Sequence, residues 1–145
     1  MEQVDVYTHS NIKGFKKGNG TVQYALTISM KGKIHVLDGS IEVRNVTENQ
    51  SELIVLIEAL KRMNRSCVLC IHTESKYLVS CLENKWVDEW RARNWVNAKG
   101  NIVANAEEWK ELDELLAKHR YSFDVRKKNV NEVFFVEEIR RKKHV

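Results

Sequence analysis

The sequence predicts an α/β fold, a single domain with a mixed sheet, and three observations carry that expectation. Residues Thr21 to Met30 alternate, with Val22, Tyr24, Leu26, Ile28 and Met30 on one side and small or polar residues on the other, the period of a strand. Between Thr47 and Met63 the period becomes helical, since Leu53, Leu56, Ile57, Leu60 and Met63 recur along one face. The elements then follow as β-β-β-α-β-α-α-β-α without proline, low-complexity linker or internal repeat.

Taken in order, Val4 to His9 forms a short first strand. Lys31-Gly32-Lys33 marks a hairpin turn, and Ile34 to Val43 returns as a third strand with an expected break at Asp38-Gly39. Tight connections make these three strands antiparallel. Asn49 or Thr47 caps the first helix. Cys67 to His72 is the fourth strand. A helical region from Lys76 to Arg91 follows, then a helix from about Asn105 to Lys118 with Trp109, Leu112 and Leu116 inward. Tyr121, Phe123 and Val125 mark the fifth strand, and a last helix spans about Asn131 to Lys143.

Composition bounds the function. Hydrophobic residues at 43% and charged residues at 30% describe an ordinary soluble domain. The net charge of +4 is compatible with a polyanionic partner, and the basic residues cluster at Lys13–Lys17, Arg91–Arg93, Arg126–Lys128 and Arg140–Lys143. No apolar run reaches the roughly 20 residues of a membrane span, and the amino terminus lacks a signal-peptide profile, so a cytoplasmic protein without a membrane partner is expected. Three cysteines define no disulfide framework. Cys67 and Cys70 form a C-x-x-C within a strand, where they face opposite ways; they cannot share one metal and are expected in the core.

The stretch from Thr73 to Trp109 holds most of the chemistry. Trp86, Trp90, Arg91, Arg93 and Trp95 interleave aromatic and basic residues, a composition that suits phosphates and bases and equally suits helix packing. Glu52 shares the inward face of Val55 and Ala59, which requires either a cationic partner or a capping box with Asn49. Glu74 follows a buried strand and precedes a helix, as a site carboxylate or a cap. If the first and fourth strands are parallel neighbours, His9 and Glu74 converge at their carboxyl ends, where open α/β sheets place their sites.

These motifs together resemble the type 1 ribonuclease H family. The resemblance rests on T-E-N-Q-S-E-L from Thr47, T-E-S-K-Y from Thr73, W-V-D-E-W-R-A-R-N-W from Trp86 and N-A-E-E-W from Asn105, and it covers essentially the whole chain. It implies a single ribonuclease H-like domain over 1–145, with a five-stranded mixed sheet of three antiparallel then two parallel strands and a basic handle at about 82–105. The implied activity is cleavage of the RNA strand of RNA/DNA hybrids with two magnesium ions. The family's metal-binding glutamate matches Glu52, and two of its three aspartates match Glu74 and His9. The fourth carboxylate falls on Phe135 when aligned on Asn131, or on Glu137 (or its neighbour Glu138) when aligned on E-E-I.

The resemblance also implies nucleic-acid contacts. Asn49 and Lys76 match readers of the minor groove, Thr47 and Asn105 match members of a DNA-phosphate pocket, and Trp86, Arg91, Arg93 and Trp95 match the handle. The departures converge on the metals. An imidazole replaces the bridging aspartate, and magnesium prefers hard oxygen ligands. The loop after the fifth strand is reduced to Arg126-Lys127-Lys128-Asn129 and keeps no histidine. The expectation is a monomeric protein that binds RNA/DNA hybrid or a related duplex, with cleavage weakened or lost and possession of a metal optional. An active endonuclease using His9, Glu52, Glu74 and Glu137 with magnesium or manganese is the alternative, and a protein-interaction module that keeps only the fold is the third.

Overall fold

The computed structural model describes residues 1–143, so the last two residues of the expected 1–145 domain lie outside the described residues. Strands β1 (Glu2–Ser10), β2 (Gly18–Met30), β3 (Lys33–Val46), β4 (Cys67–Thr73) and β5 (Arg120–Val125) form one sheet in the order β3-β2-β1-β4-β5. Strands β1 to β3 pair antiparallel, and β4 joins β1 and β5 in parallel. The helices are α1 (Glu48–Leu60), α2 (Lys76–Glu83), α3 (Trp86–Ala92), α4 (Ala106–Leu116) and α5 (Phe135–Lys143).

Local chemistry accounts for the connections. Lys31 and Gly32 both take positive φ, at 51° and 76°, the geometry of a two-residue hairpin whose twist matches its strands. The expected break at Asp38-Gly39 is absent, because β3 runs unbroken through it. Gly39 lies opposite Tyr24, and a Cβ there would stand 2.5 Å from the tyrosine ring. The glycine makes room for a side chain; it does not turn the backbone. The single helical region expected from Lys76 to Arg91 is two helices, parted at Lys85 with φ of 62°. The last helix begins at Phe135, later than expected, which leaves Asn129–Phe134 free to fold over the end of the sheet.

The sheet is covered on both faces. On one, Leu53, Leu56 and Leu60 of α1 and Trp109 and Leu112 of α4 pack against Leu26, Leu69 and Ile71. On the other, α5 buries Phe135 and Ile139 against Ala25. Strand β4 divides its side chains between these faces, as its alternation requires: Cys67, Leu69 and Ile71 are buried, and Val68, Cys70 and His72 are half-buried opposite them. Cys67 therefore meets the core expectation and Cys70 does not. No helix among the described residues is long and apolar enough to cross a membrane.

Candidate active site and nucleic-acid groove

His9 is the penultimate residue of β1 and Glu74 directly follows β4. Because these strands are parallel, both residues emerge at the same carboxyl edge. His9 Nδ1 donates to Glu74 Oε1 at 2.7 Å, and the second oxygen of Glu74 accepts the Asn129 backbone N–H at 2.7 Å. Burial works against the charge of Glu74, yet these two hydrogen bonds and the nearby His9 and Lys128 hold its carboxyl below the usual carboxylate range.

Glu52 rises from the buried face of α1 and is 1% exposed. The helix is capped by Thr47, whose hydroxyl accepts the Gln50 N–H at 3.1 Å, so the capping box of Asn49 with Glu52 does not form. Neither Glu52 oxygen has a hydrogen-bond partner among the described residues. Burial pushes its carboxyl up to about 7, with Lys128 pulling against that shift and Glu74 and Glu48 adding to it. The Lys128 ammonium stands 3.8 Å from Glu52 Oε2 and 3.4 Å from Glu48 Oε2, and donates to the Ser10 carbonyl at 3.1 Å.

Glu132 enters this site without having been singled out from the sequence, and Arg126 and Lys128, noted there as a basic cluster in a reduced loop, enter it as side-chain partners. Arg126 reaches both Glu132 oxygens at 3.3 and 3.4 Å, and its guanidinium lies over the Phe135 ring at 5.2 Å. Glu132 Oε2 comes within 3.6 Å of His9 Nδ1. The available signal was positional: a basic run directly after a parallel strand emerges at the edge that holds the site. Phe135 packs on the His9 ring, with centroids 5.6 Å apart. Glu137 is exposed and is not brought to this cluster, a correction to its candidacy. Two residues turn a helix by about 200°, so an inward Phe135 sends Glu137 outward. Glu138 pairs with Arg141 on the surface of α5.

The donor set fits a pair of magnesium ions poorly. Glu74 has both oxygens engaged, Glu132 is paired with Arg126, and the Phe135 ring packs on His9. The cations of Lys128 and Arg126 already neutralise carboxylates here. The atoms left for an ion are both Glu52 oxygens and His9 Nε2, all buried without a partner. The group here whose ligand atoms lie within 4.8 Å of one another is His9, Glu74 and Glu132.

Beside this cluster runs a groove of about 780 Å³. It brings together Thr47, Asn49, Lys76 and Asn105 with Glu74 and adds Lys13, Phe15 and Lys127 to them. Phe15 is 97% exposed at its rim. The handle residues divide. Trp95 is buried and Trp90 packs edge-on against Trp109, whereas Trp86 and Arg93 line a separate surface depression. Arg91 is held by Asp113 through two hydrogen bonds of 2.6 and 2.7 Å and by Asp88 at 3.0 Å. Its guanidinium braces the handle against α4.

Residues 1–127 match the RNase H family. A ribonuclease H of Clostridium botulinum (strain Hall) is 32% identical over 123 residues, covering 85% of this chain and 81% of its own. One of Caldicellulosiruptor saccharolyticus is 32% identical, covering 86% and 82%. Among solved structures, LC9-RNase H1, a type 1 RNase H with the type 2 active-site motif, superposes with a TM-score of 0.72 at 22% identity, covering 88% of this chain, which spans 64% of that one. LC11-RNase H1, solved in complex with RNA/DNA hybrid, gives 0.57 at 15% identity, covering 85% and 86%.

Proposed function

The chain belongs to the ribonuclease H family, and from that premise we propose that it binds RNA/DNA hybrid or a related duplex in the groove beside Glu74, with two-metal cleavage weakened or lost. The observation that carries this reading is the hydrogen bond from His9 to Glu74, with Lys128 and Arg126 among the remaining carboxylates. Glu74 and Glu132, carboxylates that would otherwise be open to divalent cations, are satisfied by the chain's own donors. The groove keeps lysines for phosphates and polar side chains for groove edges and 2′-hydroxyls, which supports recognition by shape and backbone.

A second reading has one observation in its favour. The unpartnered Glu52 oxygens and His9 Nε2 leave room for a metal-dependent endoribonuclease working from His9, Glu52 and Glu74. When bound, a divalent ion supplies an activated water and charge stabilisation at the scissile phosphate. Glu52 and His9 would hold it, Glu74 would orient His9, and Lys128 would stabilise charge beside Glu52.

The test is one assay. The 145-residue protein is mixed with end-labelled RNA/DNA hybrid in magnesium, in manganese and in chelator, and both binding and cutting are read. Salt-sensitive binding that persists in chelator, without cutting, is the expected result. Cutting in manganese that disappears in Glu52→Gln establishes the second reading and overturns the first. Absence of binding at low salt overturns both.

A further inference from the structure

We propose that Asp5, Cys70 and His72 form a zinc-class transition-metal site on the sheet face opposite α1, with Asp124 orienting the histidine. Register assembles it. Asp5 of β1 pairs with Cys70 of β4, and Cys70 pairs with Ser122 of β5. One row along, Tyr7, His72 and Asp124 lie side by side on the same strands. Aspartate, thiol and imidazole therefore project from adjacent rows of one face, and a ligand atom from each lies within 4.8 Å of the others.

The histidine is set for coordination. His72 Nδ1 donates to Asp124 Oδ2 at 2.8 Å, the carboxylate–histidine arrangement that orients a metal-bound imidazole and leaves Nε2 toward the ion. Tyr7 stacks on the ring at 4.2 Å, with planes 8° apart, and prevents it from turning. The other nitrogen, Nε2, faces Asp5 Oδ1 at 2.9 Å. With Nδ1–H committed to Asp124, that contact requires a positive atom between the two, either a second proton or a metal ion. Zinc bonds of about 2.0–2.3 Å in tetrahedral geometry put neighbouring ligand atoms roughly 3.3–3.8 Å apart, so small side-chain shifts suffice.

Donor chemistry selects the ion. A thiolate with an imidazole favours zinc, cobalt and their neighbours over magnesium. On binding, the ion takes the place of the Nε2 proton and of the Cys70 thiol proton, so the local charge is unchanged. Asp5 Oδ2 stays with the Lys143 ammonium at 3.1 Å, leaving Oδ1 for the metal. All three ligand residues are half-buried, within reach of solvent.

Cobalt(II) titration of the full chain tests the site, because a cobalt–thiolate charge-transfer band reports sulfur ligation and the His9 cluster contains no thiol. The expected result is a band that saturates at one equivalent, is bleached by zinc and is absent in Cys70→Ser. Asp124→Asn should weaken zinc binding about 10- to 100-fold by competition with a chromogenic chelator. Glu74→Gln should leave the band intact, which separates this site from the cluster at His9. Circular dichroism checks that each variant is folded. The absence of a thiolate band in the wild type, or a band that persists in Cys70→Ser, overturns the assignment.

Discussion

At the scale of the residue, Glu52 carries the most consequential physics. Its carboxyl titrates near 7 in the folded protein, against 4.5 for its ordinary value. A raised folded value means that the native state holds the proton longer than the unfolded chain does. The stability this contributes is therefore complete below the unfolded value and is lost as pH rises through the folded one. Between those values the loss is on the order of 3 kcal/mol at most. Glu52→Gln should flatten this part of the stability–pH profile and be the more stable protein above neutrality, as read from denaturant midpoints across pH. A profile in Glu52→Gln with the wild-type slope would mean that another group titrates there.

His9 supplies a second residue-level prediction. His9→Asp would restore a hard oxygen ligand, but would face Glu74 and Glu132 with a third negative charge and lose the hydrogen bond to Glu74. The expected outcome in the same cleavage assay is little or no gain in activity. The cause is structural, since the Phe135 ring still packs at position 9 and Lys128 still stands beside Glu52. A large gain would mean that one substitution separates this chain from an active site.

At the scale of the element, the handle is positioned by packing. Trp109 is fully buried, donates to the Tyr77 hydroxyl at 2.9 Å, and packs on the rings of Tyr77 and Trp90. Trp109→Ala should cost about 3–5 kcal/mol by removing a large core side chain, and should loosen α3 with it. Chemical denaturation together with amide exchange across residues 86–96 measures both effects. Arg91 and Arg93 should behave oppositely despite their near-identical setting in sequence. Arg91→Ala breaks a half-exposed ion pair and should cost about 1 kcal/mol or less, with little effect on duplex binding. Arg93→Ala should weaken hybrid binding and lower the salt slope by about one unit if it meets a phosphate.

The elements also show where reading from sequence reaches its limit. Alternation and helical period were enough for β2, α1 and α4, because each buries a face whose repeat is local. The interruption in α2–α3 was hidden, since Lys85 at positive φ carries no glycine signal. The late start of α5 was hidden for a related reason: Asn129–Phe134 is held by contacts with Glu74 and Arg126, which lie elsewhere in the chain. Gly39 misled because a glycine opposite a tyrosine looks, in one dimension, like a glycine in a turn.

At the scale of the whole molecule, the +4 charge is unevenly distributed. Lys13, Lys76, Lys127 and Lys128 border one groove, which gives the duplex proposal a quantitative form. Binding should fall linearly on a plot of logarithmic affinity against logarithmic salt, with a slope of about −0.9 for each phosphate neutralised on B-form DNA and a comparable value on hybrid. A double substitution Lys76→Ala, Lys127→Ala should reduce that slope while leaving the fold intact. An unchanged slope would move the interface off this groove.

By itself the sequence determined the α/β class, the order of elements apart from the division of one helical region into α2 and α3, the inward Glu52, through its motifs the family, and, given parallel first and fourth strands, the convergence of His9 and Glu74. The elements and the inward Glu52 follow from local periodicity, the family from the resemblance of the motifs at Thr47, Thr73, Trp86 and Asn105, and the convergence of His9 and Glu74 from the rule that parallel strands open their site at one carboxyl edge. The tertiary structure alone decided which groups surround them. It brought Arg126, Lys128 and Glu132 in from the segment after β5, seated Phe135 rather than Glu137 against His9, and tied Arg91 to Asp113. It also gathered Asp5, Cys70, His72 and Asp124 onto one face of three strands. Those partners are up to 126 residues apart along the chain, as His9 and Phe135 are, and no repeat in the sequence encodes a distance closed only by the packing of the sheet.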